Sequence, residues 1–426
     1  MANNTPKSLR QSVLYSVYVR CHTAEGTFRA VIPDLDRIRD LGCDIIWFMP
    51  IHPIGVEGKK GSLGCPYANR DYRTVNPAYG TMEDFRALVD AIHERGMLCM
   101  IDVVYNHTSP DSTLSKEHPE FFYHDENGNF GNKVGDWADV IDLDYSNRDL
   151  WAYQIESLKM WARIVDGFRC DVASLVPLAF WEEARAAVEE VHPGFIWLAE
   201  SIHGGFNLYC REHGFAAIPD SMLYRAFDME YEYDIREVFD AYLEGKAPLS
   251  AYTALLTYQD AVLPDNHIKL RYLENHDLPR IASLIKNPVR MENFLAMLYF
   301  LKGTTLLYAG QEWQDAHQPS LFEQEVITRD ETKDLTPLLR RLAGYKKDHL
   351  SEADYFTAQG YDREEIAVCR RSDGKKVKYG IFCLQGKEGT VLIDLPDGSY
   401  RNEYDGGTVT VRDGKLTAGG RPIYIG

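Results

Sequence analysis

The sequence predicts an α/β protein: a (β/α)8 (TIM) barrel with a short insertion after its third strand and a C-terminal antiparallel β domain. Three observations lead there. Four apolar runs, MLCMIDVVYNH (97–107), IVDGFRCDV (164–172), FIWLAE (195–200) and IKLRYLENHD (268–277), each end in polar residues, the pattern of strands buried on both faces whose C-terminal ends build a rim. Segments with helical periodicity alternate with them over most of the chain. From about residue 351 the texture changes to short β-rich runs separated by DG pairs at 373, 397, 405 and 413. At 426 residues there is room for a barrel of about 250 residues with additions, and we draw the domains as 1–350, with the insertion at about 107–140, and 351–426, a β-sandwich.

The elements follow in order. VLYSVYVR (13–20) alternates as the first strand. Pro33 opens a helix carrying Leu35, Ile38 and Leu41 on one face, and Gly42 stops it. CDIIWFMPIHP (43–53) is the second strand, followed by a long loop, GVEGKKGSLGCPYANRDYRTVNPAYGT. Thr81 and Asp84 form a capping box for a helix burying Met82, Phe85, Val89 and Ile92 and ending at Gly96. After the third strand the alternation stops in a polar stretch, HDENGNFGNKVGD (124–136), and resumes with a helix carrying Trp151, Ile155, Leu158 and Ala162. A helix at 177–191, a helical stretch after Gly205, FDMEYEYD (227–234), a helix at 288–302 and TTLLYAG (304–310) complete the ring, with a last helix near 335–349. In the β domain we expect strands within EIAVCRR, KVKYGIFCLQ, GTVLIDL, TVTVR and RPIYI.

The centre of the chemistry is the strand ending at Asp171. A two-residue period puts Arg169 and Asp171 on one face while Cys170 points away. A neighbouring guanidinium favours the carboxylate anion that a nucleophile needs; a structural ion pair would use the same two residues. Glu200 and Asp277 end two further runs, and Asp102, Asn106 and His107 end a fourth. Three acids on strands far apart in sequence, with histidines and an arginine between them, suit cleavage of a glycosidic bond, in which one carboxylate attacks and one carboxylic acid protonates the leaving oxygen.

DVVYNH, GFRCD, AE and ENHD, in that order, resemble the four signature regions of glycoside hydrolase family 13, the α-amylase family, and the resemblance runs from about Val13 through the barrel. It implies Asp171 as nucleophile, Glu200 as general acid/base and Asp277 as the third acid supporting the transition state. Arg169 would orient Asp171. His107 and His276 would bind sugar hydroxyls, Asp102 would belong to the substrate-binding set, and Tyr67 would stack under the sugar at the cleavage point. The implied activity is a retaining α-glucan hydrolase on α-1,4-linked maltooligosaccharides; a 4-α-glucanotransferase or phosphorylase would use the same covalent intermediate, and an inactive scaffold would not need the three acids. No cofactor is required. In calcium-dependent members the residue matching Asn106 is a ligand, and Asp125, Asn127 and Asn129 alternate as oxygen ligands could, although a turn without metal explains them equally. The sequence departs from the family pattern at Ala68, where chain-end glucosidases place an Asp, and at Ser174 and Leu175, where starch amylases place a Lys-His pair. Glu312 in GQEW suits either the rim or a structural role.

A net charge of −18 argues against nucleic acid and anionic membrane surfaces and is compatible with a neutral polyol. The eight cysteines form no CxxC pair and read as reduced thiols. MANNTPKSLRQS has no apolar core of a leader and no 18-residue apolar run occurs, so a cytoplasmic location is expected.

Overall fold

The computed structural model describes residues 4–134 and 137–426. The chain forms β1 (Val13–Val17), β2 (Ile45–Phe48), β3 (Leu98–Val103), a two-stranded ribbon of β4 (His107–Thr108) and β5 (Ile141–Asp142), then β6 (Gly167–Cys170), β7 (Ile196–Ala199), β8 (Met229–Tyr231), β9 (Lys269–Arg271) and β10 (Thr304–Tyr308). Eight of these close a parallel barrel in the order β1-β10-β9-β8-β7-β6-β3-β2. Every barrel strand is buried on both faces except at Leu98, which is why each reads as a continuous apolar run. One set of side chains, including Leu14, Ile45, Trp47, Met100, Leu198, Met229, Leu270 and Leu306, fills the interior; the alternate set packs outward under the helices.

Local signals explain the helices that brace the strands. Thr81 and Asp84 form the expected capping box at the start of the helix Met82–His93. Asn147 caps Arg148–Ala162, and Asn287 with Pro288 opens Pro288–Phe300. Gly42 adopts φ +87° directly after the helix Leu35–Asp40, a conformation that favours glycine. The first strand is shorter than its alternation suggested: it ends at Val17, and Val19–His22 form a helical turn. Likewise β9 stops at Arg271, so Asn275 to Asp277 belong to the loop above it.

Strands β11 (Tyr355–Tyr361), β12 (Ile366–Ser372), β13 (Val377–Cys383), β14 (Glu388–Leu392), β15 (Gly398–Arg401), β16 (Thr408–Arg412), β17 (Lys415–Gly419) and β18 (Ile423–Ile425) form two antiparallel four-stranded sheets, β11-β12-β13-β18 and β14-β17-β16-β15. Ile366, Ile381, Val391, Leu416 and Ile425 are among the residues of their shared core. The first sheet docks on the barrel helix Leu249–Val262. Thr257 exchanges hydrogen bonds with the Ala358 backbone, and a Cβ on Gly360 would stand 2.7 Å from the Ser250 nitrogen, so close approach requires glycine there. Tyr424 stacks on Tyr345 and Phe300, at 4.3 and 5.4 Å between ring centres.

Candidate active site

The polar ends of the buried runs meet at the C-terminal rim of the barrel, around Arg169. This side chain is fully buried at the end of β6, and its guanidinium reaches three carboxylates. Nη1 donates to Asp102 Oδ1 and Oδ2 at 2.9 and 3.0 Å and to Asp171 Oδ1 at 2.8 Å, while Nη2 lies 2.8 Å from Glu200 Oε1. The rings of Trp47, Tyr67 and Tyr231 surround it at 5.3, 5.5 and 5.3 Å. A planar, permanently charged fork suits such a site in a way a lysine would not.

One cation among three buried carboxylates cannot hold all of them as anions equally well. Burial raises Glu200 well above the usual carboxylate range; Arg169 opposes this, and the charges of Asp171 and Asp277 add to it. Asp102 is pushed up to about 7 by burial, again against Arg169. Buried acids in a cleft whose proton affinity is raised in this way are candidates for proton transfer.

Val172, directly after Asp171, sits at φ 36° and ψ 46°. A β-branched residue rarely adopts this left-handed conformation, and it costs about 1–3 kcal/mol. The turn aims the Val172 N–H at Glu200 Oε2, 2.7 Å away. The strained residue thus joins the two strand ends.

Tyr67 lies nearly parallel to His276, with ring centres 5.5 Å apart and 11° between planes. Its hydroxyl donates to Asp102 Oδ2 at 3.0 Å and meets His276 Nε2 at 2.7 Å. With the hydroxyl proton committed to Asp102, the imidazole N–H is the donor in the second contact. Burial lowers the affinity of His276 for a second proton. Asp277 Oδ2 is 3.2 Å from the same Nε2, and its side chain is 39% exposed against 9% for Asp171 and Glu200, making it the most open of the three acids. His107 Nδ1 accepts from Asn106 Nδ2 at 3.2 Å, which leaves Nε2 facing Asp171 Oδ2 at 4.0 Å.

These residues line a cavity of about 360 Å³ together with several that sequence reasoning missed. Trp137 leans on His107 at 5.7 Å and meets the edge of Phe206 at 6.5 Å. Tyr233 packs on His203 at 4.6 Å. Lys60, from the loop after β2, pairs with the buried Asp139 of the insertion at 2.9 Å, linking two walls of the cavity. Ala68 is buried beside Tyr67, and Ser174 and Leu175 are buried in the turn after Asp171. Glu312 is enclosed between Tyr15, at 2.6 Å, and Arg37, at 2.7 Å, so its role is structural. A larger groove of about 850 Å³ on the C-terminal sheets has no aromatic ring in its lining, and sugar rings would find no stacking surface there.

Of the two readings open for Asp125, Asn127 and Asn129, the structure shows the turn. Asp125 Oδ1 accepts from the backbone N–H groups of Asn127 and Asn129 at 2.9 and 2.8 Å, the internal bonding of an Asx turn. Gly135 and Asp136 of the same stretch lie outside the described residues. Asn106 Oδ1 faces the Lys133 ammonium at 3.5 Å. These residues do not fit a calcium site as they stand. Among the described residues no group of three or more His, Cys, Asp or Glu is placed to hold a metal.

The α-amylase catalytic-domain family matches residues 5–133 and 123–361, which is most of the chain. The chain belongs to the α-amylase family. The bacterial α-amylase C-terminal domain matches residues 357–425. Among solved structures, an α-amylase from Lactobacillus plantarum is 46% identical with a TM-score of 0.94, covering 99% of both chains. A noncanonic maltogenic α-amylase, AmyB, from Thermotoga neapolitana is 32% identical with a TM-score of 0.87, covering 98% of this chain and 99% of its own. The α-amylase MalA of Haloarcula japonica is 26% identical over 96% of this chain, which spans 61% of MalA's length. As an α-amylase-family member the chain carries a glycoside hydrolase catalytic domain, and no helix among the described residues is long and apolar enough to cross a membrane.

Proposed function

We propose that this family member is a retaining hydrolase of α-1,4-linked maltooligosaccharides. The observation that carries the reading is the Arg169 centre, which holds Asp171 and Glu200 in one cavity, where burial and the charges of Asp171 and Asp277 raise the proton affinity of Glu200. Asp171 Oδ2, turned toward His107, attacks the anomeric carbon as Glu200 passes its proton to the departing glycosidic oxygen. The sugar is then joined to Asp171 as an ester. Glu200, now the anion, takes a proton from water, whose oxygen attacks the same carbon and frees Asp171. Asp277 balances positive charge developing on the ring, with His107 and His276 on its hydroxyls and Tyr67 against its face. The α-amylases among the similar structures support this substrate class. Cysteines that are all free, seven of them buried, suit a reducing compartment, and we place the enzyme in the cytoplasm acting on soluble chains.

Two experiments test the reading. NMR of the first-formed product should show the α anomer, because two displacements restore configuration; a β anomer appearing first overturns the assignment. Across maltose to maltoheptaose, kcat/KM should rise over the first few glucose units and then level off, as each added subsite contributes binding free energy to the transition state. Maltose should be poor. A maximum at maltose with glucose released singly would instead mean an α-glucosidase, and accumulation of longer chains from maltotriose would mean a transferase.

A further inference from the structure

The insertion between β3 and β6 returns to the active site as the ribbon β4–β5, in which His107 pairs with Asp142. The family resemblance implies that in calcium-dependent members this region, with the residue matching Asn106, supplies oxygen ligands to the ion. Here the Lys133 ammonium donates to the Leu143 carbonyl at 3.0 Å and to Asn106 Oδ1 at 3.5 Å. The neighbouring backbone completes the arrangement: the Lys133 N–H donates to Asp142 Oδ2 at 2.8 Å, and Asp142 Oδ1 faces the amides of Asn106 and Asn132 at 3.5 and 3.4 Å. Asn106 is fully buried, and its amide can turn only one way, since its nitrogen serves His107 and Asp142 while its oxygen faces the cation.

We propose that Lys133 is a built-in replacement for the calcium ion, tying the insertion to the barrel rim. Its ammonium gathers two neutral oxygens, one from each side of the junction, close to the carboxylate of Asp142. A bound calcium would draw on the same oxygens. The consequence reaches the active site through a short relay. Lys133 fixes the orientation of Asn106, Asn106 donates to His107 Nδ1, and His107 presents Nε2 toward Asp171. Lys133 is therefore a positioning residue, and the chain needs no metal to set the His107 ring.

The test compares the full-length wild type with Lys133→Ala and Lys133→Met in EDTA and in millimolar calcium chloride, reading melting temperature and kcat/KM on maltoheptaose. The wild type should melt at the same temperature in both solutions and show no stoichiometric calcium binding by calorimetry. Lys133→Ala in EDTA should melt several degrees lower and lose at least about tenfold in kcat/KM, the order seen when groups orienting a site's ligands are removed. Calcium should restore both quantities, because the truncated side chain leaves Asn106 Oδ1, the Leu143 carbonyl and the Asp142 carboxylate around a space a cation can enter. Lys133→Met, which fills that space without charge, should stay impaired in calcium. Calcium that stabilises the wild type overturns the proposal. So does a Lys133→Ala protein as stable as wild type, or one whose loss calcium does not repair. Should Lys133→Ala fold only when calcium is present, that supports it; should it fold in neither solution, the calorimetric titration of the wild type decides.

Discussion

Asp171→Asn should lower kcat on maltooligosaccharides by on the order of 10⁴-fold or more, the scale of losses when a nucleophile is removed. The amide can still accept the 2.8 Å hydrogen bond from Arg169 Nη1, so the fold should survive the change and the loss should lie in chemistry. An amide has no anionic oxygen with which to form the glycosyl ester. The direct check is to trap the intermediate with a 2-fluoro maltosyl fluoride and map the labelled peptide by mass spectrometry. The label should sit on Asp171 in the wild type and be missing from the variant. A label on Glu200 or Asp277, or more than about one per cent of wild-type turnover in the variant, would remove Asp171 from the role.

Glu200→Gln should divide substrates by their leaving groups. On maltoheptaose, where the departing sugar oxygen needs a proton, kcat should fall by about 10²–10⁴-fold; on α-maltosyl fluoride, whose leaving group needs none, formation of the intermediate should be largely spared. The pH profile supplies a second reading. Glu200 must be protonated to act, and burial together with the charges of Asp171 and Asp277 raises its pKa, which extends activity upward in pH. Activity of the wild type should therefore fall as pH rises through that raised value, and this alkaline limb should vanish from the fluoride reaction of the variant. Equal losses on both substrates, with the alkaline limb intact, would assign the acid elsewhere.

How much of this was legible beforehand follows from where each residue sits. Asp102, Asp171 and Glu200 were visible because barrel strands are buried on both faces, so a charge ending an apolar run stands out. The histidines and Asp277 were visible as part of a motif, although they lie in a loop beyond β9. Trp137, Asp139 and Lys133 were not legible as site residues. They occupy an irregular insertion whose period says nothing about direction, and a lysine in a polar loop reads as solvated until the fold encloses it. Tyr233 was hidden differently: β8 is only three residues long, and FDMEYEYD does not show which tyrosine turns over the rim. In the C-terminal domain, β11, β15 and β17 carry YFTAQGY, GSYR and KLTAG, whose glycines, alanines and polar residues weaken the β signal, and they were missed while the Val- and Ile-rich strands beside them were found.

The left-handed turn at Val172 also acts as a gauge. Asp171 and the Val172 N–H that holds Glu200 lie at the two ends of one peptide unit, and a peptide unit is planar and stiff. The spacing between the two proposed catalytic carboxyls is therefore tied to a single covalent plate in addition to the register of β6 against β7. Tolerance in that spacing decides whether water fits between the acids, and here the standard is cut into the main chain. Trp137, Phe206 and Lys60 line the cavity without entering this dimension, so substitutions there should change which sugars fit while leaving the stereochemical course the same.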